Sequence, residues 1–140
     1  MSTPRVRTAA GHDLDWLAEH DGHLDRAGVA AKLERREVLV AELDGVPAGM
    51  LRFDLLWSAV PFVALVRVDE SARRRGVGRA LVEGLCDRAQ ALGAAFVLSS
   101  ATGDEAEPQA WHKAVGFQPC GELQGINDDG VGEIVYLLRL

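Results

Sequence analysis

The chain has 140 residues, of which 48% are hydrophobic and 26% are charged, a composition typical of one soluble globular domain. Its net charge of −6 leaves no broad basic surface, which argues against general nucleic-acid binding. The two cysteines form no Cys-x-x-Cys pair, and no stretch approaches the roughly 20 apolar residues of a membrane span. We therefore expect one domain over residues 1–140, without a metal site or a membrane partner. The start of the chain carries no apolar leader, so the expected location is cytoplasmic.

The first half of the chain predicts one strand, two helices and a β-hairpin, at about residues 5–8, 13–20, 25–36 and 37–56. The two helices are indicated by apolar residues at spacings of three and four. The hairpin is indicated by Asp44-Gly45, which stands between two segments rich in β-branched residues.

A buried strand, a basic loop and a long helix occupy the middle of the chain. Residues 61–66 form a short apolar run, which suits a strand that is buried on both faces. Apolar residues recur at helical spacing from Val77 to Leu92, and Gly93 then follows as a helix stop. The loop between them is therefore expected at the end of a strand and the start of a helix.

This loop combines positive charge with glycine, in the residues Arg73, Arg74, Arg75, Gly76, Gly78 and Arg79. Glycine lets backbone N–H groups approach a ligand, and the first N–H groups of a helix favour an anion. We interpret the loop as a phosphate or pyrophosphate cradle. It lacks the Gly-Lys-Ser/Thr end of a Walker A loop, and Leu81 occupies the third glycine position of a dinucleotide fingerprint. The alternative is a solvated arginine-rich turn that only caps the helix.

The pattern Arg73-x-x-Gly76-x-Gly78, directly after Val66-Arg67-Val68, resembles the acyl-coenzyme A signature of the GNAT N-acetyltransferase superfamily, (Gln/Arg)-x-x-Gly-x-(Gly/Ala). The resemblance implies acetyl-CoA as co-substrate, with its pyrophosphate on the loop and on Val77. It also implies that Val66, Arg67 and Val68 hold the pantetheine arm and the thioester carbonyl. In that fold the central strand and the next parallel strand separate around the cofactor.

The second half predicts a strand, a helix and a closing antiparallel pair of strands, at about residues 94–99, 108–115, 117–123 and 134–140. Because a helix connects the central strand to residues 94–99, these two strands should be parallel. Residues 100–107 are polar and acidic and indicate a loop. The element order predicts a mixed α/β sheet with helices on both faces. The GNAT acyl-CoA N-acyltransferase fold has that order over nearly the whole chain.

A second segment, Pro-Gln-Ala-Trp-His-Lys-Ala-Val-Gly-Phe at residues 108–117, resembles the family pattern Ala-x-x-(Phe/Leu)-Tyr-x-x-x-Gly-Phe. His112 stands where tyrosine is common. In the family this tyrosine hydroxyl lies near the cofactor sulfur and can protonate the leaving thiolate. We expect the same role for His112, which requires a charged imidazole. Alternatively, His112 only donates a hydrogen bond to the sulfur or packs on the pantetheine arm.

An amine acceptor requires a base, because an alkylamine of pKa near 10.4 is almost wholly protonated at neutral pH. The central strand carries no Asp or Glu, so the base is expected on the acidic loop, at Asp104 or Glu105. Asp54 and Glu133 are alternatives. A backbone N–H near Val68 is the expected donor to the developing oxyanion.

These expectations describe an acetyl-CoA-dependent N-acetyltransferase that moves an acetyl group to a primary amine of a small molecule by direct attack in a ternary complex. No covalent intermediate is needed, and Cys120 is a poor acyl carrier because no basic residue adjoins it. The alternatives are a non-catalytic acyl-CoA binding or sensing module on the same fold, and a nucleotide-binding domain outside the family. Trp16 and Trp57 are expected in the core or in the wall of the acceptor pocket. A short chain leaves little room for a lid, hence the hypothesis that a homodimer completes the pocket.

Overall fold

The structure is a computed structural model that describes residues 2–140. Within these residues the elements follow in the order β1 (Arg5–Thr8), α1 (Leu14–Asp21), α2 (Arg26–Glu34), β2 (Val38–Leu43), β3 (Val46–Leu56), β4 (Val60–Val68), α3 (Val77–Ala91), β5 (Phe96–Thr102), α4 (Ala106–Ala114), β6 (Gln118–Leu123) and β7 (Glu133–Arg139). The strands form one mixed sheet in the order β1-β2-β3-β4-β5-β7-β6. The predicted α/β fold with helices on both faces is confirmed.

Two element boundaries differ from the prediction in ways that matter for function. β5 runs on to Thr102, whereas the sequence predicted a loop from residue 100. The reason is tertiary: β7 pairs antiparallel with the whole of β5, up to Thr102 opposite Glu133. α4 begins at Ala106, two residues before the proline that we expected to start it. Pro108 is tolerated there because the first turn of a helix does not need its N–H groups.

Each face of the sheet has its own core. α3 and α4 cover one face, where Leu81, Phe53 and Tyr136 are fully buried. α1 and α2 cover part of the other face, where Leu17 and Val29 are fully buried. None of the helices in residues 2–140 combines the length and the apolarity that a membrane crossing requires.

The sheet opens between its two parallel strands. β4 and β5 pair at Phe62 and Leu98, near the start of each strand, and then separate. On its other edge β4 stays paired with β3, with a register shift that leaves Ala64 without an opposite residue. Such a β-bulge bends the strand that carries it. The predicted separation of the two parallel strands is therefore present, and it creates a cleft in the sheet.

A buried ion pair joins α1 to the sheet on the face covered by α1 and α2. Arg52 donates from Nε and Nη2 to the two carboxylate oxygens of Asp21, at 2.8 and 3.1 Å. Burial by itself would raise the pKa of Asp21, but hydrogen bonds from Arg52 and from the N–H groups of Leu24 and His23 outweigh it and hold that pKa below its usual value. The aspartate is therefore an anion in the folded protein.

Arg52→Met should lower the free energy of unfolding by about 3–5 kcal/mol, because it leaves the carboxylate of Asp21 buried and uncompensated. Arg26→Met is the matched control. The ion pair of Arg26 with Asp15 is 61% and 87% exposed and should contribute less than about 1 kcal/mol. Urea unfolding of the two variants compares these values, and equal losses would show that the buried pair has no special role.

Candidate active site

A cleft with a volume of about 780 Å³ lies where β4 and β5 separate. Its walls are the backbone of β4 from Val63 to Val68, Ser99 and Ser100 on β5, the start of α3, and one side of α4. This volume is in the range of small-molecule and cofactor sites. The cleft brings both motifs singled out in the sequence into one place.

At one end of the cleft, the arginine loop leads into the N-terminus of α3. Arg74 and Gly76 both have left-handed backbone conformations, with φ of 64° and 79°. A non-glycine residue in this conformation is uncommon and clusters at ligand-binding loops. Gly78 lies in the first turn of α3 and packs closely on α4, because a Cβ atom added there would lie 3.2 Å from Nε1 of Trp111, closer than an ordinary contact. This is the geometry of an anion cradle.

The predicted cofactor-binding residues that line the cleft are Val66, Arg67, Val68, Arg73, Arg74, Gly76, Val77, Gly78 and Arg79. Arg75 is outside this lining, and its guanidinium donates to Ser2 Oγ at 3.1 Å. Arg67 lies at the cleft, but its guanidinium is near Gly22 at the end of α1. Arg79 donates to the carbonyl of Ala114 at 2.6 Å, which joins the start of α3 to the end of α4.

The backbone of β4 presents hydrogen-bonding groups to the cleft. The N–H of Asp69 donates to the carbonyl of Ala48 at 2.8 Å, on the β3 side. Successive N–H groups of a strand point to opposite edges, so those of Val68 and Val66 point to the cleft side. Ala64, at the register shift, lines the cleft two residues after Phe62, the residue at which β4 pairs with β5. The N–H groups of Val66 and Val68 are thus available along β4 as donors to an oxyanion.

His112 lies in the wall of the cleft and is buried, with only 5% of the residue exposed. Its Nδ1 is 2.7 Å from the carbonyl of Pro108, and its Nε2 is 2.7 Å from Ser99 Oγ. Because a carbonyl only accepts, Nδ1 carries the proton, and the neutral ring then accepts at Nε2 from the hydroxyl of Ser99. The ring also stacks on Tyr136, with centroids 4.5 Å apart.

Burial lowers the pKa of His112, although its hydrogen bond to the carbonyl of Pro108 and the charge of Glu133 act in the opposite direction. The imidazole is therefore neutral at pH 7. A neutral ring differs from the charged imidazole that His112 would need in order to protonate the leaving sulfur. The sequence pattern placed His112 at the cleft, but the packing of α4 on β5 decides its charge.

The neutral state of His112 should make the protein less stable as the pH falls below about 6.5, the ordinary pKa of histidine in an unfolded chain. The unfolded chain then binds a proton that the folded protein does not, so the free energy of unfolding decreases by at most about 1.4 kcal/mol per pH unit from this residue. His112→Phe should remove this component. Urea unfolding at about pH 7.5 and about pH 5.5 measures it, with His23→Phe, which changes an exposed histidine, as control. An equal pH dependence in wild-type and His112→Phe protein would contradict this prediction.

Glu133 lies beside Ser100, on the face of the sheet that is opposite to α4 and His112. Ser100 Oγ donates to its carboxylate at 2.7 Å, and Asn127 Nδ2 donates at 3.2 Å. Side chains alternate along β5, so Ser99 faces α4 and Ser100 faces away from it. Ser99 is thus hydrogen-bonded to His112 on one side of the sheet, and Ser100 is hydrogen-bonded to Glu133 on the other side.

Asp104 and Glu105 lie elsewhere, in a separate depression of about 360 Å³ that they share with Thr102, Asn127, Asp128 and Asp129. Because β5 extends to Thr102, it carries these two acids past the end of the main cleft. Asp54, the other alternative on β3, forms an ion pair with Lys32. Among the candidate bases, Glu133 is therefore the one tied to a residue that lines the cleft.

Three other residues discussed from the sequence also lie outside the main cleft. Trp57 is 76% exposed at the turn between β3 and β4. Trp16 packs on the core under α1 and stacks on His20. Cys120 is exposed on β6. Within residues 2–140, no group of three or more His, Cys, Asp or Glu side chains is placed to hold a metal ion.

Comparison with known proteins agrees with this architecture. The model of the acetyltransferase (GNAT) family matches residues 6–117. No curated protein matches the sequence. A GNAT-family acetyltransferase from Bacillus cereus superposes with a TM-score of 0.83 at 21% identity, over 98% of this chain and 97% of that one. A putative acetyltransferase from Salmonella typhimurium, solved with its cofactor acetyl-CoA, gives 0.80 at 21% identity, over 99% and 94%. The ribosomal-protein-S18-alanine N-acetyltransferase from Escherichia coli gives 0.80 at 19% identity, over 98% and 94%.

At these identities the solved structures establish the fold. The family model, which covers most of the chain, establishes the family. The cleft between β4 and β5 and the anion cradle at α3 lie within the matched residues. The chain therefore belongs to the GNAT acetyltransferase family.

Proposed function

We propose that this protein is an acetyl-CoA-dependent N-acetyltransferase that moves an acetyl group to a primary amine of a small molecule. The amine attacks the thioester directly in a ternary complex. The observation that carries the proposal is the carboxylate of Glu133, which accepts a hydrogen bond from Ser100 Oγ, because Ser100 lines the cleft whose other end is the predicted anion cradle. A binding or sensing module would need the cradle but would not need a base.

The residues present fit acetyl-CoA. The N-terminus of α3, with Arg73, Arg74 and Arg79, would hold the pyrophosphate, and Gly76 and Gly78 place no side chain between it and the backbone. The cleft-facing backbone of Val66 and Val68 would bind the amides of the pantetheine arm. Acetyl-CoA supplies an activated acyl group, and the protein supplies position and proton transfer.

Glu133 removes the proton of the ammonium, directly or through the hydroxyl of Ser100. Free deprotonation of an alkylamine at neutral pH costs roughly 4–5 kcal/mol, which is the barrier that the base must lower. Backbone N–H groups of β4 donate to the carbonyl oxygen as it gains negative charge. His112 is neutral and is not assigned as the acid that protonates the leaving sulfur.

Calorimetric titration with acetyl-CoA, followed by thiol release in the presence of different amine classes, tests the proposal. Saturable binding with thiol release that depends on an amine supports the enzyme. Binding without amine-dependent release across alkylamines, amino acids and peptide N-termini would instead identify a binding module. ATP that competes equally with coenzyme A would favour a nucleotide-binding domain.

The same proposal includes a single domain over residues 1–140, a cytoplasmic location and a homodimer that completes the pocket. Cell fractionation tests the location, and light scattering after size-exclusion chromatography tests the assembly.

A further inference from the structure

Amine acetylation leaves one pair of groups in the cleft without a role, the hydroxyl of Ser99 and the imidazole of His112. We propose that Ser99 is a second nucleophile: when no amine is bound, it takes the acetyl group from acetyl-CoA with His112 as its base, and water then hydrolyses the acetyl ester. The protein would thus have an amine-independent acetyl-CoA hydrolase activity. This inference rests on the proposed function in one respect, namely that acetyl-CoA occupies the cleft.

The Ser99 hydroxyl is oriented as a nucleophile would be. Its oxygen is 2.7 Å from Nε2 of His112, and Nδ1 of the same ring donates to the carbonyl of Pro108. The hydrogen of Ser99 therefore points at the imidazole, and the oxygen lone pairs are free for the cleft. Because the hydroxyl donates to the imidazole, its oxygen can attack a carbonyl carbon, whereas its hydrogen is not available to a group in the cleft.

Ser99 also lies at a suitable position in the cleft. It directly follows Leu98, the residue at which β5 still pairs with β4, and it lines the cleft. On the facing strand β4, the pairing of Phe62 with Leu98 sets Val63 level with Ser99, and the next residue, Ala64, is skipped in the pairing with β3. The hydroxyl of Ser99 thus lies close to a β-bulge in β4, at which one residue is left out of the hydrogen-bond ladder with β3. Acyl transfer requires an attacking oxygen near donors to the oxyanion, and the N–H groups of β4 on the cleft side are the donors that we assign.

The base is also fixed in place. The ring of His112 stacks on Tyr136 at 4.5 Å and meets the edge of Phe117 at 5.4 Å. A nucleophile, a neutral base within hydrogen-bonding distance and a third group that orients the base form the arrangement used in covalent catalysis. Here the third group is the backbone carbonyl of Pro108.

The step balances without any further reactant. Ser99 Oγ forms a bond to the carbonyl carbon of the thioester, and its proton passes to Nε2 of His112. The carbon–sulfur bond breaks with its electron pair going to sulfur, and His112 returns the proton to that sulfur. Water then attacks the ester, with His112 again accepting and returning a proton, which yields acetate and free Ser99. With an amine bound, the amine attacks the thioester first, since it is the stronger nucleophile.

The test is incubation of the purified protein with acetyl-CoA and no amine, followed by acid quenching, intact-mass measurement and peptide mapping. We expect the mass of one acetyl group on Ser99, together with slow thiol release. Ser99→Ala should abolish both, and His112→Phe should slow adduct formation by about 10²-fold or more. Ser71→Ala, at an exposed serine outside the cleft, is the matched control.

Thermal melting and calorimetric binding of acetyl-CoA show whether Ser99→Ala is folded. If it is not, Ser99→Cys keeps a nucleophile of similar size, and an acetyl group on the introduced thiol supports the same geometry. The inference is overturned if the wild-type protein forms no adduct and if thiol release without amine is the same in the wild-type protein, in Ser71→Ala and in either Ser99 variant. Amine-dependent turnover that persists in that case leaves the proposed function standing. Failure of the wild-type protein to bind acetyl-CoA overturns both.

Discussion

Glu133→Gln should lower kcat for amine acetylation by about 10²–10⁴-fold, the usual contribution of a general base. Glutamine keeps the shape of the side chain and can still hydrogen-bond to Ser100, but it cannot take a proton from an ammonium group. Glu133 lies on the opposite side of the sheet from the anion cradle, so the affinity for acetyl-CoA should stay nearly unchanged. Steady-state kinetics with a responsive amine, together with calorimetry, separate these two effects.

The pH dependence supplies a second readout for Glu133→Gln. As the pH rises toward the amine pKa of about 10.4, more of the acceptor is already deprotonated, and the variant should recover part of its lost rate. Asp104→Asn tests the competing prediction from the sequence. Full activity in Glu133→Gln with a large loss in Asp104→Asn would place the base in the separate acidic depression and would contradict the assignment of Glu133.

Gly78→Val should weaken acetyl-CoA binding by about 100-fold or more, which corresponds to the loss of about two hydrogen bonds to a charged group. The new side chain would project into the space between α3 and Trp111, where even a single Cβ would lie 3.2 Å from the indole nitrogen. The indole of Trp111, which lines the cleft beside Gly78, would have to shift, and we expect the pyrophosphate to lose its close approach to the first N–H groups of α3. Calorimetric titration measures the change in Kd.

Loss of folding is not the expected cause, because valine has a higher helix propensity than glycine. Thermal melting should therefore show a folded Gly78→Val protein. Gly121→Val is the control, since a Cβ at Gly121 meets nothing within 4 Å. An unchanged Kd in Gly78→Val would show that the start of α3 is not the anion cradle.

Local sequence patterns were enough to predict the elements of the fold and to propose one end of the site. Apolar spacing identified α3, Asp44-Gly45 identified the hairpin of β2 and β3, and the order of elements predicted the mixed sheet. The loop that we propose as the anion cradle could be located for the same reason, because its glycines and arginines lie together within residues 73–79. These are short-range properties, set by turn chemistry and by the side-chain period of each element.

The proposed proton-transfer groups, in contrast, come together only through tertiary contacts. Ser99 and His112 are 13 residues apart, and Ser100 and Glu133 are 33 residues apart. β7 brings Glu133 next to Ser100 by pairing with β5, and the same pairing extends β5 to Thr102, so that Asp104 lies in the separate depression. The charge of His112 depends likewise on its burial between α4 and the sheet. Hydrogen-bond partners and desolvation arise from contacts between distant segments, and no local pattern in the sequence encodes them.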